Sequence, residues 1–105
     1  MELTNVKILL LAAALAVASP VFASQELAQK NACLACHAVD KKLVGPSYQD
    51  VAKKYAGQKD AEAALARSIK AGGSGKWGPV PMPAQAALSD ADAGKLAAWI
   101  LQGSK

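Results

Sequence analysis

The chain has 105 residues, enough for one domain, and 12 Lys and Arg against 8 Asp and Glu give a net charge of +4. That excess is mild and the lysines are scattered rather than clustered, so nucleic acid is not an expected partner. Two cysteines and one histidine after the start of the chain fall short of the four ligands a structural zinc site normally takes.

In chain order, the first stretch is set apart from the rest. Met1 to Lys7 carries one lysine, Ile8 to Ala18 is an unbroken apolar run, and Ser19-Pro20 breaks it. Val21-Phe22-Ala23 then offers small residues at the −3 and −1 positions of a signal-peptidase site. The run is well short of the roughly 20 apolar residues of a spanning helix, although an uncleaved anchor is the competing reading. Residues 1–23 are therefore expected to be a cleaved signal peptide and 24–105 the mature domain. Cleavage removes Lys7 and Glu2 together, so the net charge is unchanged.

Glu26 to Ala32 predicts a short helix with Leu27 as its main apolar contact. It leads into Cys33-Leu34-Ala35-Cys36-His37. A C-x-x-C-H run is the attachment site of a c-type haem. One helical turn brings the two cysteines close enough to bond the vinyl-derived carbons of one porphyrin, and His37 follows at once to reach the iron. C-x-x-C alone also fits a redox-active disulfide, but no βαβ pattern surrounds it and that chemistry has no use for the adjacent histidine. Half a zinc site is the other reading, and it lacks partners. Haem attachment in bacteria takes place outside the cytoplasmic membrane, so the motif and the leader agree on a periplasmic protein. Both cysteines would be consumed as thioethers.

Ala38 to Pro46 reads as a loop closed by Gly45-Pro46. Ser47-Tyr48-Gln49-Asp50 has the S-x-x-D form of a capping box and opens a helix to about Tyr55, ended by Gly57. Asp60 is placed to cap a third helix, in which Leu65 and Ile69 share one face and which Gly72-Gly73 stop. Gly72 to Leu88 is rich in glycine and proline and predicts a structured loop. Ser89-Asp90-Ala91-Asp92 starts a last helix with Ala93, Leu96, Ala97 and Ile100 as its apolar stripe, ended by Gly103. No alternating strand pattern and no internal repeat is visible, so the class is all-α. The mature aromatics are Tyr48, Tyr55, Trp77 and Trp99, a thin core that a buried porphyrin would complete.

A haem iron bound by His37 has a second axial position, which His, Met, Cys or Tyr can fill. His37 is the one histidine, both cysteines are used, and Met1 leaves with the leader, so elimination favours Met82. It stands in Pro79-Val80-Pro81-Met82-Pro83, where each proline fixes its own φ and restricts the residue before it. The ordinary fate of a methionine, filling a core or facing solvent, is the alternative.

Several blocks together resemble the small class I bacterial cytochromes c of the cytochrome c-551 type. They are Cys33-x-x-Cys36-His37-Ala38, Val44-Gly45-Pro46-x-Tyr48-x-Asp50-Val51-Ala52, Ala56-Gly57-Gln58, Gly75-x-Trp77-Gly78-Pro79-x-Pro81-Met82-Pro83, and Ser89-Asp90 through Leu96-Ala97-x-Trp99. They span nearly the whole mature chain. The resemblance implies about four helices around one covalently bound haem, with the first and last crossing near the motif. It implies that the Pro46 carbonyl accepts a hydrogen bond from His37, that the Trp77 indole reaches a haem propionate, and that Gln85 supplies an amide near the Met ligand. Trp77 and Trp99 as core aromatics, and Gln85 as a solvated side chain, are the plainer readings. Many relatives carry an arginine where this chain has Ser68, so no propionate-binding arginine is carried over.

The expectation is a soluble periplasmic one-electron carrier and not an enzyme. An iron with His37 and Met82 as axial ligands has no open position for substrate. The resemblance implies a quinol-oxidising complex as donor and a nitrite reductase or terminal oxidase as acceptor. A haem enzyme with a labile sixth site, or a subunit of a larger complex, are the rivals. The first lacks a second histidine and the second lacks a mature anchor. Redox partners are expected to dock on a haem edge ringed by Leu34, Ala35, Leu43, Val44, Val80, Pro81 and Pro83. Lys30, Lys41 and Lys42 would lie outside that ring, and the protein is expected to be a monomer without stable membrane insertion.

Overall fold

The computed structural model describes residues 20–105. Its elements are α1 (Pro20–Lys30), a 3₁₀ turn (Cys33–Ala35), α2 (Tyr48–Tyr55), α3 (Ala61–Ala71) and α4 (Asp90–Leu101). Among the described residues there is no strand, only two isolated bridges, His37 with Lys42 and Gly73 with Met82. The all-α class holds. No helix among these residues is long and apolar enough to cross a membrane. The apolar run read as a leader lies outside the described residues, and α1 runs through the expected Ala23–Ser24 cleavage point.

Two helix starts follow from local chemistry. Ser47 Oγ accepts from Asp50 N at 3.0 Å, and Ser89 Oγ accepts from Asp92 N at 3.1 Å, so each serine satisfies one of the orphan N–H groups of a first turn. Asp60 does not act this way. It stands at the N-cap of α3 but makes no side-chain cap bond, and only its carbonyl accepts, from Ala64 N at 2.9 Å. The first helix also departs from expectation, beginning at Pro20 and ending at Lys30. Proline suits a helix's first turn because its missing N–H would be unbonded there in any case. Ala32 ends the element by adopting a left-handed conformation at φ 61°, while Asn31 Nδ2 bonds the Leu27 carbonyl at 2.8 Å.

The last helix is the hub, packing against α1, α2 and α3. Its Ala93, Leu96, Ala97, Trp99 and Ile100 are all buried. Ala28 of α1 is fully buried and gives the first and last helices a close approach, while Leu27 is only partly covered. Tyr48, Val51 and Tyr55 from α2 and Leu65 and Ile69 from α3 complete the core with Leu88. An exposed ion pair between Lys70 of α3 and Asp90 of α4 ties the two helices at one end. The cross-over loops 38–46 and 72–88 are left facing one another across what α2, α3 and α4 enclose.

Candidate functional site

Between the loops lies a cavity of about 400 Å³, within the usual range for small-molecule and cofactor sites. Cys33, Cys36, His37, Pro46, Trp77 and Met82 all line it, as do the core residues Val51, Leu65, Ile69, Leu96 and Ile100. The sequence motif and Met82, far apart in the chain, thus face one space.

The 3₁₀ turn sets the first wall. His37 N bonds the Cys33 carbonyl at 3.0 Å and Cys36 N bonds it at 3.2 Å, so one tight turn presents both sulfurs and the imidazole together. Cys33 and Cys36 are not joined in a disulfide, and among the described residues no group of three or more His, Cys, Asp or Glu could hold a metal ion.

The imidazole is oriented from behind. His37 Nδ1 lies 2.7 Å from the Pro46 carbonyl oxygen. A carbonyl can only accept, so Nδ1 carries the proton and Nε2 keeps its lone pair for a metal. Gly45 makes this possible: a Cβ there would stand 2.5 Å from His37 Cε1. Its N–H bonds the Cys36 carbonyl at 2.7 Å and fastens the loop to the motif. Tyr48 stacks on the imidazole, with ring centroids 5.4 Å apart, and meets Trp99 edge-on at 5.3 Å. Burial raises the Tyr48 phenol well above its usual value, and its hydroxyl is buried without a protein partner.

The opposite wall is the proline-rich loop. Gly73 N donates to the Met82 carbonyl at 3.0 Å and Met82 N donates to the Gly73 carbonyl at 2.8 Å, a closed pair that fixes the methionine's backbone. Gly72, at φ +67°, allows the close approach, since a Cβ there would meet Met82 O at 2.5 Å. Gln85 N bonds the Lys70 carbonyl at 3.0 Å and anchors the loop to α3. The Gln85 amide side chain sits 3.3 Å from the Pro83 carbonyl, one residue past Met82, and is not on the cavity wall. Trp77 is on the wall, partly exposed, with Lys54 Nζ 4.5 Å above its ring.

Val44 and Val80 are 56 % and 59 % exposed and, with Pro81 and Pro83, form an apolar rim at the cavity. Leu43 is exposed nearby, whereas Leu34 packs against the core instead of joining the rim. Gly45, Gly72 and Tyr48 escape the sequence reading as site residues. The glycines look like helix and loop punctuation, and Tyr48 stands inside a capping box where only the serine and aspartate draw notice.

The residues fit a haem on three counts. Two thiols share one turn with an imidazole whose free nitrogen is fixed by its tautomer. A thioether faces the same cavity, and two glycines stand where any Cβ would intrude. Four helices around such a cavity define a covalent haem protein of the electron-transfer class.

Comparison with known proteins makes the assignment specific. The cytochrome c family model matches residues 23–104. The chain is 55% identical over 92 residues to cytochrome c-552 of Hydrogenobacter thermophilus, covering 88% of this chain and 93% of that one. It is 56% identical over 75 residues to cytochrome c-551 of Pseudomonas aeruginosa, covering 71% of each. The crystal structure of Nitrosomonas europaea cytochrome c552 superposes with a TM-score of 0.73 at 53% identity, over 75% of this chain and 98% of that one. The chain belongs to the cytochrome c family, among its small class I members of the c-551 and c-552 type. It is an electron-transfer protein rather than an enzyme, and it carries one covalently bound haem c, for which Cys33 and Cys36 have the required spacing.

Proposed function

We propose that the protein is a periplasmic one-electron carrier whose haem iron is held axially by His37 and Met82. The observation that carries this reading is that both side chains line one cavity from separate loops, each with its backbone held by short hydrogen bonds. When bound, the haem supplies a single ferrous–ferric couple. The chain's task is to keep that couple's surroundings the same in both states. The Pro46 carbonyl holds the His37 tautomer and ring plane, and the Gly73–Met82 pair holds the thioether toward the cavity. Val51, Leu65, Ile69 and Leu96 exclude water from the same space.

In this reading residues 1–23 direct export and are cleaved after Ala23, and the mature chain acts as a monomer. Its partners meet the apolar rim of Val44, Val80, Pro81 and Pro83, with Lys30, Lys41 and Lys42 steering the encounter. A quinol-oxidising complex is the upstream partner and a nitrite reductase or terminal oxidase the downstream one.

Met82→Ala tests the axial assignment. Thioether sulfur is a neutral donor that favours ferrous iron, so its loss lowers the equilibrium constant for reduction by more than tenfold, about 59 mV for one electron. The variant also gains rapid cyanide binding at neutral pH, which wild type lacks. Equal potentials, with fast cyanide binding by both proteins, would overturn the assignment and the carrier mechanism with it.

A further inference from the structure

Away from the cysteines and His37, a second set of polar side chains on the cavity wall gathers in one corner. Tyr55 at the end of α2, Ser68 on α3, and Lys76 and Trp77 of the 72–88 loop all line it. The Lys76 ammonium donates to Tyr55 Oη at 3.0 Å and lies 5.2 Å from the centre of that ring. Tyr55 Oη is in turn 3.4 Å from Ser68 Oγ. Lys54 Nζ lies over the Trp77 ring and donates to the Lys76 carbonyl at 3.1 Å, which ties this stretch of the loop to α2.

Two ammonium groups therefore share one corner, and among the described residues neither pairs with a carboxylate. The Tyr55 phenol registers the resulting field. Burial alone would raise it, but hydrogen bonds from Lys76 and Ser68 and the charges of Lys76 and Lys54 outweigh burial and bring it below its ordinary value. Lys42, the other cation on the wall, comes from the 38–46 loop and belongs to no such hydrogen-bonded set. A haem brings two carboxylates into the cavity, and a half-buried carboxylate is costly unless it is paired and hydrogen-bonded. Lys76 spends one of its three N–H donors on Tyr55 and has two to offer.

We propose that Lys76, held at the cavity wall by the Tyr55 hydroxyl, is the cation that pairs with a haem propionate. The proposal rests on the covalent haem and is independent of which side chain occupies the second axial position. Lys76 is a positioning residue in this role. It neutralises a negative charge beside the iron and thereby favours the ferrous state.

The test uses holoprotein and four variants, Lys76→Met, Lys76→Arg, Tyr55→Phe and Lys53→Met, the last at an exposed lysine of α2 that is off the cavity wall. Two quantities are read: the propionate bending band in the resonance Raman spectrum, which reports hydrogen bonding to the carboxylate, and the reduction potential at high ionic strength, where exposed charges are screened. Lys76→Met should shift the band and lower the equilibrium constant for reduction about tenfold, or about 59 mV. Tyr55→Phe should move both in the same direction by less, and Lys76→Arg should restore both. Lys53→Met should leave the band in place and lower the potential less than Lys76→Met does. An unmoved band in Lys76→Met overturns the proposal, as does an equal fall in potential for Lys53→Met, which would make Lys76 one surface charge among others. Should Lys76→Met fail to take up haem, Tyr55→Phe decides alone by its band. The red ferric band assigned to iron–methionine sulfur is recorded in wild type alongside. It judges the axial assignment separately and leaves the Raman comparison intact.

Discussion

Gly45 lets His37 do its work by having no side chain. A Cβ at that position would lie 2.5 Å from His37 Cε1 and 2.9 Å from Nδ1, closer than carbon contacts allow. The neighbour that must yield is an imidazole already bonded to Pro46 behind it and stacked on Tyr48. Neither restraint can relax without loosening the other. Gly45→Ala is therefore expected to lower holoprotein stability by about 1–3 kcal/mol, the range for overpacking a closed site. The midpoint of denaturant unfolding checks the cost, and the His37 ring resonances should shift as the Pro46 hydrogen bond lengthens. A variant with wild-type midpoint and unshifted His37 would mean that the loop moves freely, and that the bond to Pro46 is not what holds the ring.

At the scale of elements, three helices invite a comparison of caps. The Ser47 and Ser89 side chains each bond an N–H of the first turn, whereas the Asp60 side chain bonds none. Ser47→Ala and Ser89→Ala should each cost about 1 kcal/mol, and Asp60→Ala much less. Melts of the three variants check this, and a loss at Asp60 as large as at the serines would refute it. The same contrast shows what could be read in advance. S-x-x-D combines an acceptor and a local spacing, so α2 and α4 were legible almost to the residue, as were Leu65 and Ile69 from their four-residue separation. Asp60 has the right type but stands at φ −110°, ψ 34°, where its carboxylate makes no cap bond, and residue type alone carries no dihedral. The end of α1 was hidden for a related reason: a left-handed alanine at position 32 is a conformation for which glycine or asparagine would be the signal. Cys33, Cys36, His37 and Met82, which line one cavity, stand out in the sequence because rare residue types point to themselves. Tyr48 stacking on His37 depends on how the 38–46 loop returns to α2, a tertiary fact without a local spacing. Lys76 reaches Tyr55 from 21 residues away and was equally out of view.

The whole molecule is built around something other than its own side chains. Of the buried core, Tyr48, Val51, Tyr55, Leu65, Ile69, Leu96 and Ile100 all border the cavity, and among the described residues no large side chain is completely buried. Filling that space with porphyrin gives these residues a partner. Without it they would face either solvent or a void of about 400 Å³. Apolar side chains left facing water or a void forfeit burial that a domain with a total stability of about 5–15 kcal/mol depends on. Collapse of the 38–46 and 72–88 loops recovers part of this, but it does so by abandoning the arrangement that holds His37 and Met82. Contacts between α1 and α4 through Ala28 do not border the cavity and should persist longest. The haem-free chain, made as Cys33→Ala/Cys36→Ala, is therefore expected to keep some helix but lose its fixed tertiary packing. Near-ultraviolet circular dichroism should be lost, the thermal transition should be broad, and Trp99 fluorescence should shift toward that of an exposed indole. The holoprotein should melt in one cooperative step with Trp99 shielded. A haem-free variant that melts as sharply as the holoprotein, with Trp99 still buried, would show that the four helices pack on one another and that the cavity is an addition to the fold rather than its centre.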